Sequence, residues 1–139
     1  MNPIVRNIIA VVAGWILGSV INMLLINAGH SLFPVHGIDI NDMDAYAGVM
    51  PDLEPKYFLF PFLAHAIGTL IGAIIAAKVA VTHHMKMALI VGGIFLLGGI
   101  TVNYMLPGPT WFTALDALVA YIPMAWLGGK IGMKKNQTT

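Results

Sequence analysis

The sequence predicts an all-α polytopic membrane protein, with four transmembrane helices in an antiparallel up-down bundle and both termini cytoplasmic. Three observations predict it. First, the 139 residues are 58% hydrophobic and 9% charged, where a soluble domain carries about 25% charge. With a mean hydropathy of +0.84, a soluble fold of this size could not hide its apolar surface. Second, four apolar segments are each long enough to cross about 30 Å of hydrocarbon at about 1.5 Å per residue. Third, the basic residues gather at one end of the implied hairpins. Disorder is excluded because it needs low hydrophobicity and high charge. The length allows a single membrane domain spanning residues 1–139.

The first segment runs from about residue 3 to 28. Arg6 followed by an apolar stretch could suggest a signal peptide. The stretch from Ile8 to Ile26 is longer than a usual signal core, however, and no A-x-A site follows. A retained helix is expected. Trp15 lies in its middle and is expected to pack rather than to bind a ligand.

The second, third and fourth segments are expected at about 57–81, 85–106 and 111–131. The 30–56 connection is the only long one, and it holds Asp39, Asp42, Asp44, Asp52 and Glu54, five of the six acids. It reads as a solvated acidic loop. Asn41 or Asp42 can cap a short helix within it. Thr82-His83-His84 forms a tight second link, with the histidines at an interface. Pro107-Gly108-Pro109 is turn chemistry, and Thr110 is expected to cap the fourth helix. Pro61 falls in the first turn of its helix, where it is tolerated. Pro123 should kink the fourth segment and free a carbonyl near Val119. The tail from Lys134 to Thr139 is expected to be mobile.

Charge then sets the topology. Arg6, Lys78, Lys86, Lys130, Lys134 and Lys135 share one side, and Lys56 alone lies opposite. The positive-inside rule places both termini in the cytoplasm and the acidic loop outside. Tyr57, Tyr104 and Trp111 mark the outer interface, and Trp126 lies toward the inner one. With so few basic residues there is no stripe for nucleic acid. With no cysteine there are no disulfides, no thiolate metal sites and no quinone-linked dithiol chemistry. No cofactor is implied.

Helices in lipid associate through close packing of small residues. Gly14 and Gly18 stand in the first segment. Ala64, Gly68, Gly72 and Ala76 stand in the second. Gly92-Gly93 and Gly98-Gly99 stand in the third, and Ala117, Ala120, Gly128 and Gly132 in the fourth. These stripes predict a tight bundle, and a homo-oligomer is their alternative use. Membrane lipids are the expected partners.

Polar residues inside the membrane are costly, so each needs a reason. Asn22, Asn27, His65, Thr69, Asn103, Thr113 and Asp116 all fall in the outer half of their segments. His65 shares a helical face with Gly68, Thr69 and Gly72. Asp116 lines up with Thr113, Ala120 and Pro123. Asn103 follows Gly92 and Gly99, and Asn22 continues the Gly14 and Gly18 row. The stripes should face inward, so these side chains should converge. An unpaired carboxylate in hydrocarbon is unfavourable, so Asp116 needs a partner. His65 is the candidate at its depth, with Asn22 and Asn103 completing the shell. This cluster is either a clasp that fixes helix register or a binding site. Metal ligation is disfavoured: no His or carboxylate spacing fits a zinc site, and Asp39 to Asp44 lacks the glycine and distal glutamate of a calcium loop.

Two runs carry a resemblance. They are Tyr57-Phe58-Leu59-Phe60-Pro61-Phe62-Leu63-Ala64-His65-Ala66, and Asn103-Tyr104-Met105-Leu106-Pro107-Gly108-Pro109-Thr110-Trp111-Phe112, which leads on to Asp116 and Tyr121-Ile122-Pro123-Met124-Ala125-Trp126. Together they resemble a group of small uncharacterised four-helix integral membrane proteins of bacteria. The resemblance implies a bacterial inner membrane and no activity. Small multidrug exporters carry a membrane-embedded glutamate in helix one, which this chain lacks. Glutathione-using membrane transferases need several arginines, and this chain has Arg6 alone.

Three functions stay open. One is a non-enzymatic binding or assembly protein with an outward pocket. The second is an oligomeric transporter or channel subunit, although the inner half is almost purely apolar. The third is a membrane enzyme using His65 as base and Asp116 to orient it.

Overall fold

The computed structural model describes residues 1–134, so Lys135 and the rest of the carboxyl tail expected to be mobile lie outside the described residues. The described residues form six α-helices: α1 (Pro3–Leu32), α2 (Met43–Val49), α3 (Leu59–Val79), α4 (His84–Met105), α5 (Thr110–Val119) and α6 (Ile122–Gly132). Two short 3-10 turns, Met50–Asp52 and Pro55–Phe58, lead from α2 into α3. Four helical stretches are long and apolar enough to cross a membrane, the last being α5 and α6 taken together.

Local chemistry explains the helix ends. Asn2 accepts a hydrogen bond from the Ile4 N–H at 2.8 Å, and Pro3 follows at the first helical position. The Asp42 side chain accepts from the Ala45 N–H at 3.1 Å and caps α2, one of the two caps expected from the sequence. Thr110 is a correction. It is the first residue of α5, and Pro109 occupies the cap without a side-chain bond. Proline fixes the turn conformation there, so no hydroxyl cap is needed to start the helix.

The α1–α3 pair is the tightest packing in the molecule, and it is antiparallel in four-residue steps. Ala10 meets Ala76, Gly14 meets Gly72 and Gly18 meets Gly68. A Cβ added to Gly18 would lie 2.6 Å from the Gly68 carbonyl oxygen, and one added to Gly72 would lie 2.6 Å from the Gly14 carbonyl oxygen. Only glycine lets the two backbones approach this closely. Asn22 continues the row, with its Cβ against Gly68.

The bundle is a rhomb. α3 and α4 lie side by side in the middle, with α1 on one flank and α6 on the other. α6 runs parallel to α3 and seats Gly128 and Gly132 on the carbonyls of Leu70 and Ile74. It also runs antiparallel to α4, with Gly92 against Ala125 and Gly129 against Ala88. Small residues on three faces of α3 make this central position available. Gly93 and Gly98 meet nothing and face outward.

At the end that carries both the start of α1 and the α3–α4 turn, Asn7 holds the turn. Its Oδ1 accepts from Val81 N–H at 3.1 Å, and its Nδ2 donates to Thr82 Oγ1 at 2.8 Å. Arg6 Nε donates to the Val79 carbonyl at 3.3 Å. His83 makes the turn with a φ of 51°. His84 is not an interfacial side chain but a buried one, with Nδ1 2.9 Å from the Ala77 carbonyl oxygen. Trp15 is a further correction: it is 48% exposed and faces away from the bundle, because Gly14 and Gly18 claim the packed face of α1.

The fourth span is broken rather than kinked. Pro123 is the second residue of α6, and Ala120 and Tyr121 separate the two helices. Proline has no N–H to give the Val119 carbonyl, so the helix restarts there. The break turns Pro123 outward instead of aligning it with Asp116.

Candidate functional site: a cavity with a His–Asp–Tyr floor

At the α2 end of the bundle, α1 and α4 part. Below, they touch through Ala10, Val11, Val91 and Phe95, and Phe95 packs on Gly18. Above Phe95 they enclose a cavity of about 530 Å³. That falls in the range of small-molecule sites, about 300–1,000 Å³.

Asp116, on α5, is 8% exposed and is the centre of the polar floor. His65 Nδ1 lies 2.9 Å from Asp116 Oδ1 and 3.0 Å from Oδ2. The Tyr121 hydroxyl donates to Oδ2 at 2.7 Å. His65 and Tyr121 stack with ring centroids 5.7 Å apart. The pairing of His65 with Asp116 expected from depth and helical face is present. With Asp116 ionised, the His65 proton on Nδ1 points at the carboxylate, which leaves Nε2 for other work. Nε2 makes no hydrogen bond within the described residues.

The remaining expected members divide. Thr113 Oγ1 donates to Asn103 Oδ1 at 2.9 Å, which ties α5 to α4. Asn103 and Asn22 both line the cavity, but neither bonds Asp116. The shell that they were expected to complete is closed by Tyr121 instead. Asn22 Oδ1 is buried without a partner. Thr69 is fully buried, its hydroxyl is unpartnered, and it does not line the cavity. It stands on the face of α3 between Ala66 and Ala73, against the α5–α6 break. Asn27 is exposed on α1 and takes no part.

Tyr121 is the residue that sequence reasoning missed. In a continuous helix, five residues turn the side chain about 140° away from Asp116 at about 100° per residue. The α5–α6 break brings it back. Gly99 makes room for it, because a Cβ there would strike the Tyr121 ring. A signal was available: a buried tyrosine needs a hydroxyl partner, and Tyr121 sits two residues before a proline in the span that holds Asp116.

The solvated acidic loop expected at 30–56 is present in its five acids, all exposed. Its apolar side chains have a second role: Ile40 and Met43, still 41% and 42% exposed, join Tyr46 and Met50 in roofing the cavity. Tyr46 packs edge-on against His30, with centroids 6.2 Å apart. Burial pushes the Tyr46 phenol above its ordinary value, so it stays neutral. Asp39 accepts from the Asn41 N–H at 2.9 Å, so it and Asp42 serve local turns. Among the described residues, no three His, Asp or Glu side chains converge as a metal site would need.

The walls are Met23 and Ile26 of α1, with Leu96, Ile100 and Val102 of α4. Met23, Ile100 and Val102 are also about half exposed, at 58%, 55% and 48%. The cavity therefore opens sideways between α1 and α4, on a face of the molecule that is apolar.

No protein-family model, curated protein or solved structure matches this chain. What the cavity does must be argued from its own chemistry. It can hold an apolar chain against its walls and a polar group on its floor. Both serines of the chain, Ser19 and Ser31, lie outside it, so it brings no serine nucleophile to His65.

Proposed function

We infer that this protein is a non-enzymatic binding protein of a bacterial inner membrane that holds a small amphiphilic molecule in the leaflet on the α2 side. One observation carries the reading: an apolar cavity that opens sideways and ends on the His65–Asp116–Tyr121 floor. Sites of this kind pair apolar walls with a few convergent polar groups. A lateral opening suits a ligand that arrives through the membrane. The basic residues Arg6, Lys78, Lys86 and Lys130 support a cytoplasmic placement of the termini, and the exposed acids of the roof support an external α2.

A transporter reading has less support. On the other side of Phe95 the interior consists of clusters such as Ala73, Ala77, Ala88 and Ala125, each fully buried. An enzyme reading has the oriented His65, but the cavity holds no serine, and its Thr113 hydroxyl is spent on Asn103.

The test is extraction of the protein in native-lipid nanodiscs, followed by native mass spectrometry. The protein should retain a small amphiphile at one per chain. Ile100→Trp, which fills the cavity from its mouth, should lose it. Equal retention by both forms, or retention by neither, overturns the reading.

A further inference from the structure

The polar groups of the cavity restrict the head group of its occupant. Among the described residues, no lysine or arginine lines it. His30 lines the cavity at the roof, where it packs on Tyr46, so a phosphate or carboxylate head seated on the floor would meet the Asp116 carboxylate with no cation beyond the histidine that Asp116 already engages. A cationic head gains little at Asp116, which is 8% exposed and already engaged by His65 Nδ1 and the Tyr121 hydroxyl. A head seated on this floor is therefore uncharged.

At the level of Asp116 two lining groups have unspent hydrogen-bonding capacity, while His30, the Tyr46 hydroxyl and Asn103 Nδ2, which also make no hydrogen bond within the described residues, line the cavity nearer α2. One is His65 Nε2. The other is the Asn22 carboxamide: its Oδ1 is sealed off and unpartnered, and the end open to an occupant is Nδ2, which makes no hydrogen bond within the described residues. They stand in one layer, since Asn22 packs on Gly68, one helical turn along α3 from His65. A hydroxyl matches this pair better than a carbonyl or an ether. It both donates and accepts, so it satisfies Asn22 in either amide orientation. It satisfies Nε2 whether that nitrogen carries a proton or a lone pair. An acceptor-only head would leave one of these groups without a partner in a low-dielectric site, where that is costly.

We propose that the cavity selects an uncharged amphiphile with a hydroxyl head, of the lipid-alcohol or monoacylglycerol type, whose hydroxyl bridges Asn22 and His65 Nε2 while its chain leaves between Met23 and Ile100. This rests on the amphiphile-binding reading above.

The experiment compares four probes of matched chain on the full-length protein in neutral detergent, with binding read by native mass spectrometry. The probes are monopalmitoylglycerol, methyl palmitate, palmitate and hexadecylamine. Monopalmitoylglycerol should bind about tenfold or more above the other three, the worth of one net hydrogen bond. Asn22→Leu, which removes a side chain that has no partner to lose, should bring monopalmitoylglycerol down to the level of methyl palmitate. Equal binding of monopalmitoylglycerol and methyl palmitate by the wild type overturns the hydroxyl selectivity and leaves the amphiphile reading standing. Preference for palmitate or hexadecylamine does the same. If no probe binds, the amphiphile reading fails and takes this inference with it. Should Asn22→Leu not fold, the wild-type series alone decides.

Discussion

Asp116 has two side-chain partners, and their worth can be bounded. Interhelical hydrogen bonds in membranes average about 0.6 kcal/mol and reach about 1.7 kcal/mol. Tyr121→Phe should therefore cost about 0.5–2 kcal/mol in an unfolding titration with denaturing detergent. Asp116→Ala should cost more, about 1–3 kcal/mol, because it leaves His65 and Tyr121 without their acceptor. A double-mutant cycle on the two should show coupling, since they share one bond. Additive losses would mean that the Tyr121 hydroxyl is not bonded to Asp116 in the folded protein. Asp116 and His65 were both readable from sequence, because a carboxylate in an apolar span demands a partner at its own depth. Tyr121 was not, because helical periodicity puts it on the wrong side of α5.

Among the elements, the α5–α6 break and the α1–α3 seam do the most. Pro123→Ala gives the Val119 carbonyl an N–H partner and allows the span to become continuous. Helix content by circular dichroism should hold or rise, while the Tyr121–Asp116 bond and ligand retention should be lost. Retained binding in that variant would show that the break does not position the floor. At the seam, Gly18→Ala and Gly72→Ala should each cost about 1–3 kcal/mol, since the added Cβ meets backbone rather than a movable side chain. Gly93→Ala on α4 meets open space and should be neutral or stabilising. If all three behave alike, the close approach of α1 and α3 is wrong. By these magnitudes each seam glycine matters about as much as the whole clasp: packing sets the register of α1 and α3, and the clasp ties α3 to α5. The small-residue stripes were readable from their spacing, but which helices they join was not, because all four segments carry one.

For the whole molecule, the testable property is orientation. The chain has no cysteine, so single cysteines report cleanly. A cysteine introduced as Asp44→Cys in α2 should react with an impermeant maleimide on intact cells. One introduced as Lys86→Cys, beside the α3–α4 turn, should react only after permeabilisation. The reverse pattern would overturn the assignment from charge. The rhombic arrangement follows from α3, whose small residues are spread over three faces. A closed square would have set α6 against α1 and left Gly128 and Gly132 without the α3 carbonyls that they cover.

Four apolar spans, a small-residue stripe on each and the need of Asp116 for His65 can all be read along the sequence. These are properties of composition, spacing and depth, and each is local to one helix or to a pair. The folded arrangement alone reveals that α1 pairs with α3, that α1 and α4 part above Phe95 beneath Ile40, Met43, Tyr46 and Met50, and that Tyr121 completes the floor. One physical reason covers the gap, its roof and its floor. A cavity is the space that helices fail to fill, and that depends on where a break or a large side chain forces them apart. No periodicity along one segment records it.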